Sequence, residues 1–294
     1  MNNAGRRPVT PKVVIVTDSI ACLTKEKVAQ YGIRIVPLNF YFDGRVYKEW
    51  VDITTAGAYE LFLKDPKSFK TSATSPEDCL EAYREAGRWA NSILCVTVSA
   101  KLSAVYSVAL GAKEQVKAEF PQISIEVLDS RTATAAEGFI VLAAAQAAAE
   151  GKSLAEVVKA AEEIRERVSI VAFMDTVRYV YRTGRIPRVA SWAGSMLNIK
   201  PVFTISSGVP HFIGAVRNKE QGVERLLKVM RSKVGLKPVN VAVMHVYALD
   251  EAEKLKERVS SEFNCADLWI TEFSPVMGYA CGTGTLGLAF YSKG

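Results

Sequence analysis

Apolar positions in the first half of the chain come in short runs that end in clusters of hydroxyls and acids. Val13 to Val16 runs into Thr17-Asp18-Ser19, Phe69-Lys70 into Thr71-Ser72-Ala73-Thr74-Ser75, Ile93 to Val98 into Ser99-Ala100-Lys101, and Ile123 to Leu128 into Asp129-Ser130-Arg131-Thr132. The runs are too short for ordinary helices and rich in β-branched residues, so they predict buried strands. After the third run the spacing changes. Ala104, Val105, Val108 and Ala112 recur on one helical face, so strand gives way to helix just past Ser103. Strands that alternate with helices predict an open α/β sheet, and in such sheets ligands bind outside the carboxyl ends of the strands. Four polar tips on one sheet edge predict a hydroxyl-lined mouth for an anion or a polar head group. Taken singly, Ser99 or Ser103 reads equally well as a helix N-cap.

The remaining pattern fills in around these tips. A short helix is predicted over 24–30 and an extended run over 33–38. Asp43-Gly44 between β-prone flanks predicts a hairpin appended at a sheet edge. Helices are predicted from Thr54 or Thr55 through Leu63 and from the cap Ser75-Pro76-Glu77-Asp78. An Ala-rich helix over 133–150 stops at Gly151, and the capping box Ser153-Leu154-Ala155-Glu156 starts another reaching Val168. A first α/β domain, 1–168, closes there. In the second, 169–294, a strand is predicted over 169–174, a short helix over 176–183 and an apolar helix over 191–197. Strands over 199–205 and 210–216 flank Ser206-Ser207-Gly208. Helix 220–234, strand 239–246, helix 250–263, strand 266–273 and a last strand 286–291 follow. The fold class is therefore α/β, with two domains that each hold a mainly parallel sheet flanked by helices.

Composition narrows the function classes. At 294 residues and 49% hydrophobic, the chain carries enough apolar material for two cores. The net charge of +6 comes from Lys and Arg interleaved with Glu on helix faces, not from a basic cluster, so no nucleic-acid partner is expected. Five cysteines (Cys22, Cys79, Cys95, Cys265, Cys281) without a CxxC pair predict reduced thiols and a cytoplasmic location. Arg6-Arg7 precedes an apolar run too short for an export signal, and residues 139–149 are too few to span a bilayer, so no stable membrane insertion is expected.

Most reaction motifs fail on context. Gly282-Thr283-Gly284-Thr285-Leu286-Gly287 spells GxGxxG, but too little chain follows for a βαβ unit. No phosphate loop is present. His211 and His245 are the only histidines and have no metal-ligand neighbours on their elements, so neither a metal nor another cofactor is expected. GxSxG is absent, and a serine hydrolase built on Ser99 or Ser103 would need His245 as its base. Arg185, between Gly184 and Pro187, is held by stiff backbone. It reads either as a site cation or as a charge that complements a helix end.

Val13 to Ser19 (VVIVTDS), Thr71-Ser72, residues 98–106 (VSAKLSAVY), Asp129-Ser130, Gly184-Arg185-Ile186, residues 197–201 (LNIKP), Arg217 and residues 282–287 resemble, in order, the signature blocks of the DegV family. The resemblance implies two α/β domains with a long-chain fatty acid buried between them and no catalysis by the chain itself. It implies a separate ATP-dependent kinase as partner, to which the lipid carboxylate is presented. By block position Thr71, Ser99, Ser103, Arg185 and Arg217 match residues at or near the carboxylate end, and Ser72 is a further candidate donor beside Thr71. The sequence departs from the family where a second serine is replaced by Ala100 and a histidine by Ala280, leaving the Tyr279 hydroxyl as a candidate replacement. Two other readings stand beside this one: a serine-dependent hydrolase of a lipid ester, and a regulatory protein that has lost the lipid.

Overall fold

The structure is a computed structural model and describes residues 12–176, 179, 183–185 and 199–292. From the amino end, β1 (Val14–Asp18) enters a single 3-10 turn, Ser19–Ala21, and α1 (Lys25–Tyr31) leads to β2 (Arg34–Val36). The hairpin β3 (Asn39–Phe42) and β4 (Arg45–Lys48) is followed by α2 (Thr55–Lys64), β5 (Lys70–Ser72) and α3 (Pro76–Gly87). Then come β6 (Ser92–Thr97), α4 (Val105–Glu119), β7 (Ser124–Asp129), α5 (Thr134–Ala149) and α6 (Leu154–Arg165). The second half runs β8 (Ser169–Phe173), β9 (Lys200–Ser206), β10 (Val209–Val216), α7 (Lys219–Val234), β11 (Val239–His245) and α8 (Leu249–Glu262). It ends with β12 (Cys265–Glu272), α9 (Pro275–Cys281) and β13 (Leu286–Ser292). The expected helices over 176–183 and 191–197 fall largely outside the described residues.

The first sheet has the order β2-β1-β6-β7 and is parallel throughout, because a helix returns the chain between its strands. Its carboxyl edge gathers Asp18, Thr97 and Asp129, as the hydroxyl tips predict. The fourth tip is elsewhere. Thr71 and Ser72 lie on β5, which pairs antiparallel with β3 in a separate sheet of order β4-β3-β5, so the hairpin is not an appendage of the first sheet.

The second sheet, β10-β9-β8-β13-β11-β12, corrects the expectation of a mainly parallel one. Only β11 and β12 are parallel, joined through α8. β9 and β10 form a hairpin, and β13 returns from the end of the chain to insert antiparallel to both β8 and β11. Helix α5 packs against β1, β6 and β13 and is buried on nearly every side, which is why its residues are small. At Gly138 a Cβ would lie 2.6 Å from the Ala21 carbonyl, so α5 and the turn after β1 approach as closely as a glycine allows. One apolar cluster, including Phe40, Tyr59, Phe139, Met174, Phe203 and Met244, continues from the α5 face across all three sheets.

Candidate functional site

Where the carboxyl edge of the first sheet meets the second, buried polar side chains fix the loops. Asp18 ends β1 and accepts the N–H groups of Ile20 (2.9 Å) and Val98 (2.8 Å). Burial pushes its carboxyl up to about 7 against the pull of those two donors. Glu49, just past β4, accepts from Ser19 Oγ (2.5 Å), Ser274 Oγ (2.8 Å) and the Val276 N–H (2.8 Å), so it caps α9 from a remote loop. Burial raises its pKa as well. Glu137, in the first turn of α5, receives Thr17 Oγ1 at 3.3 Å, and burial followed by the Asp18 charge pushes it well above the carboxylate range.

These anchors position the walls of a narrow slot. Ile20, Leu38, Val98 and Leu102 come from the first sheet's edge, Ile170, Ala172 and Met174 from β8 and its end, Phe203 and Ile205 from β9, and Val276, Met277 and Ala280 from α9. The slot encloses about 980 Å³ of atom-free space, part of it open to solvent, of which only about 120 Å³ can hold the centre of a water molecule. So thin a space suits a linear chain rather than fused rings.

Thr71, Ser72, Ser103, Thr183 and Arg185 bring polar groups to the slot. The hydroxyls of Thr71, Ser72 and Ser103 make no hydrogen bond among the described residues. Thr183 only accepts, from the Arg185 N–H at 3.4 Å. Arg185 donates Nε to the Leu102 carbonyl (3.2 Å) and Nη1 to the Thr183 carbonyl (2.6 Å), so it binds backbone next to it and reaches across to the loop before α4. Elsewhere in the slot the hydroxyls are committed. Thr134 Oγ1 donates to the Ala133 carbonyl at 2.6 Å, and Thr204 Oγ1 to the Ile170 carbonyl at 2.6 Å.

Four of the seven residues proposed from sequence therefore line the slot, and three do not. Ser99 is fully buried and donates Oγ to the Gly208 carbonyl (2.8 Å), tying the β9–β10 turn to the first sheet. Tyr279 stacks on Phe69 with ring centroids 5.6 Å apart and meets Phe62 edge-on. Arg217 is exposed, its N–H bound to Gln221 Oε1 (2.9 Å) just before α7. Ala280 lines the slot, whereas Ala100 is exposed, so a serine there would not face it. Thr134, Thr183, Thr204 and Cys281 were missed; only the neighbouring Arg185 and the hydroxyl run before α5 hinted at the first two. Among the described residues neither histidine bonds to a serine side chain: His211 Nε2 lies 3.2 Å from the Ser206 carbonyl, and His245 Nδ1 accepts the Ala248 N–H at 3.2 Å.

Fold and site together define an α/β protein built round an apolar slot with uncommitted hydroxyls and a guanidinium in its wall. The chain belongs to the DegV family: the family model, described as an uncharacterised protein of the DegV family, matches residues 12–293. It is 32% identical over 282 residues to a DegV domain-containing protein of Clostridium acetobutylicum, covering 96% of this chain and 98% of that one. A DegV domain-containing protein of Clostridium perfringens is 31% identical over 279 residues, covering 95% and 98%. Among solved structures the chain is similar to a fatty-acid-binding DegV family protein from Thermus thermophilus, with a TM-score of 0.86, 28% identity and coverage of 96% and 100%. DegV of Bacillus subtilis, a fatty acid binding protein, also gives a TM-score of 0.86, at 26% identity and coverage of 96% and 100%. A stearic acid-binding protein from Eubacterium ventriosum gives 0.86 at 26% identity, covering 95% and 98%.

Proposed function

We propose that this chain binds one long-chain fatty acid, with the acyl chain along the slot and the carboxylate at Thr71, Ser72, Ser103 and Arg185. The observation that carries the reading is the split among the slot's hydroxyls: Thr134 and Thr204 are used up within the protein, while those of Thr71, Ser72 and Ser103 are free to donate. Burying an acyl chain is favourable by about 0.8 kcal/mol per methylene, and a carboxylate taken out of water needs several donors. The relatives from Thermus thermophilus and Bacillus subtilis, both fatty-acid binders, point the same way.

We place the slot at the junction of two domains, 1–168 and 169–294, and read the chain as a carrier that presents the carboxylate to a separate ATP-dependent fatty-acid kinase. A hydrolase is disfavoured because the hydrogen bonds of both histidines lead away from Ser99 and Ser103. The five free thiols suit a reducing cytoplasm.

Calorimetric titration with stearate and with its methyl ester tests the head-group end. Thr71→Val is close to isosteric and removes one donor, so acid affinity falls by about 1 to 3 kcal/mol while ester affinity stays. Arg185→Ala acts in the same direction through loss of a fixed positive charge. Equal losses for acid and ester, or none, would remove these residues from the carboxylate site.

A further inference from the structure

A second and wider groove opens at the carboxyl ends of β11 and β12, the one parallel pair of the second sheet. It encloses about 2020 Å³ of atom-free space, of which about 1030 Å³ can hold water centres, so it is a broad trough and not a slot. One wall is the segment 50–56 leading into α2, and the other is the start of α8. Trp50, Val51, Tyr247 and Leu249 line it and are exposed. Trp50 (φ 67°) and Tyr247 (φ 48°) are both held in left-handed backbone, which bulky residues seldom adopt.

The groove's charge is one-sided on a chain whose net charge is +6. Asp52, Asp250, Glu251 and Glu272 line it against Lys25 alone. Glu251 is paired with Lys219 at 2.7 Å. Asp52 and Asp250 form no ion pair among the described residues. Glu272 Oε1 accepts the Tyr247 N–H at 3.2 Å and otherwise faces the His245 ring, 3.9 Å away. His245 lies in the groove wall, only 5% exposed, and burial lowers its pKa to about 4, so the ring is neutral near pH 7. Since Nδ1 accepts the Ala248 N–H, the proton sits on Nε2. That N–H has no partner among the described residues.

We infer that this groove docks a basic polypeptide segment of a partner protein. Lysine or arginine side chains would meet Asp52, Asp250 and Glu272, their aliphatic stems would lie on Trp50 and Tyr247, and a backbone carbonyl would accept from His245 Nε2–H. Each feature selects for this occupant. The unpaired carboxylates disfavour anions, the aromatic rims favour cations carried on apolar stems, and the neutral Nε2–H donor in the groove wall suits an acceptor that a simple cation lacks. The inference is independent of what fills the first slot.

Fluorescence anisotropy with a fluorescein-labelled, amidated hexapeptide of alternating arginine and leucine tests it, with alternating glutamate and leucine as control. The arginine peptide should bind saturably and the glutamate peptide should not. The near-isosteric pair Asp250→Asn with Glu272→Gln should weaken binding at least tenfold, and Trp50→Ala, at the exposed rim, several-fold, both with thermal unfolding checked alongside. No binding to the unaltered protein, or unchanged binding in both variants, overturns the inference. Displacement of the peptide by spermidine at the peptide's own dissociation constant also overturns it, since the site would then hold a free polyamine.

Discussion

Ala280 and Ala100 stand where DegV proteins carry a histidine and a serine, yet only Ala280 faces the slot. Ala100 points to solvent, with its N–H on Asp129 Oδ1 at 3.2 Å. Ala280→His should therefore raise the preference for stearate over its methyl ester by about 1.5 to 3 kcal/mol, the worth of one charge-assisted hydrogen bond, while Ala100→Ser changes nothing. Calorimetry on both variants decides; a gain from Ala100→Ser would mean that the carboxylate sits nearer the first sheet's edge. The buried carboxylates make a different prediction. Asp18 is raised from 3.8 to about 7, and Glu49 and Glu137 are raised too, so the folded protein keeps protons that the unfolded chain gives up. Their stabilising contribution is full below the unfolded carboxylate values and is lost as pH rises, for Asp18 up to about 7. His245 opposes this: lowered from 6.5 to about 4, it makes stability rise with pH across that window. Glu272, raised by burial as well, adds to the carboxylates against the one imidazole, so urea denaturation should give a less stable protein at pH 7.5 than at pH 5, and Asp18→Asn should flatten the difference. A protein more stable at pH 7.5 would contradict the assignment.

Helix α9 shows how far elements could be read locally. Residues 274–281 carry a proline, a mid-segment glycine and no apolar periodicity, and the sequence pattern predicts nothing there. The helix forms because Glu49 caps it from more than two hundred residues away and because Gly278 lets it close on Tyr59. A Cβ at Gly278 would lie 2.0 Å from the Tyr59 hydroxyl, itself bound to the Phe273 carbonyl at 2.7 Å. Gly278→Ala should therefore cost about 1 to 3 kcal/mol of stability by overpacking, read from the denaturation midpoint. An unchanged midpoint would show that Tyr59 moves freely. Where local signals suffice, the reading from sequence matches: the Ser153 capping box, the Asp43-Gly44 hairpin and the helix after Ser75-Pro76 are all present. It fails where pairing is decided by distant chain. Nothing near residues 286–291 tells β13 to enter the middle of the second sheet, and nothing in Phe69 to Ser72 tells β5 to join the hairpin. Ser99 is the same lesson at a loop, since a hydroxyl at a strand end looks alike in sequence whether it meets a ligand or the Gly208 carbonyl.

At the scale of the molecule, the slot exists only because the two halves close on each other. Tyr59 of α2 bonds to Phe273, Thr271 Oγ1 to the Cys22 carbonyl at 2.5 Å, and Ser99 to Gly208, so three contacts clamp the first half onto the second sheet and the turns at its strand ends. The apolar cluster is continuous across that junction, and the same closure leaves the thin space lined by the uncommitted hydroxyls of Thr71, Ser72 and Ser103 and by Arg185. A linear acyl chain with one charged end fits both features. Native mass spectrometry of the protein incubated with stearate tests this most directly. The account predicts a single adduct of one stearate per chain that saturates without a second. An unliganded protein, or a ladder of successive adducts without saturation, would contradict it.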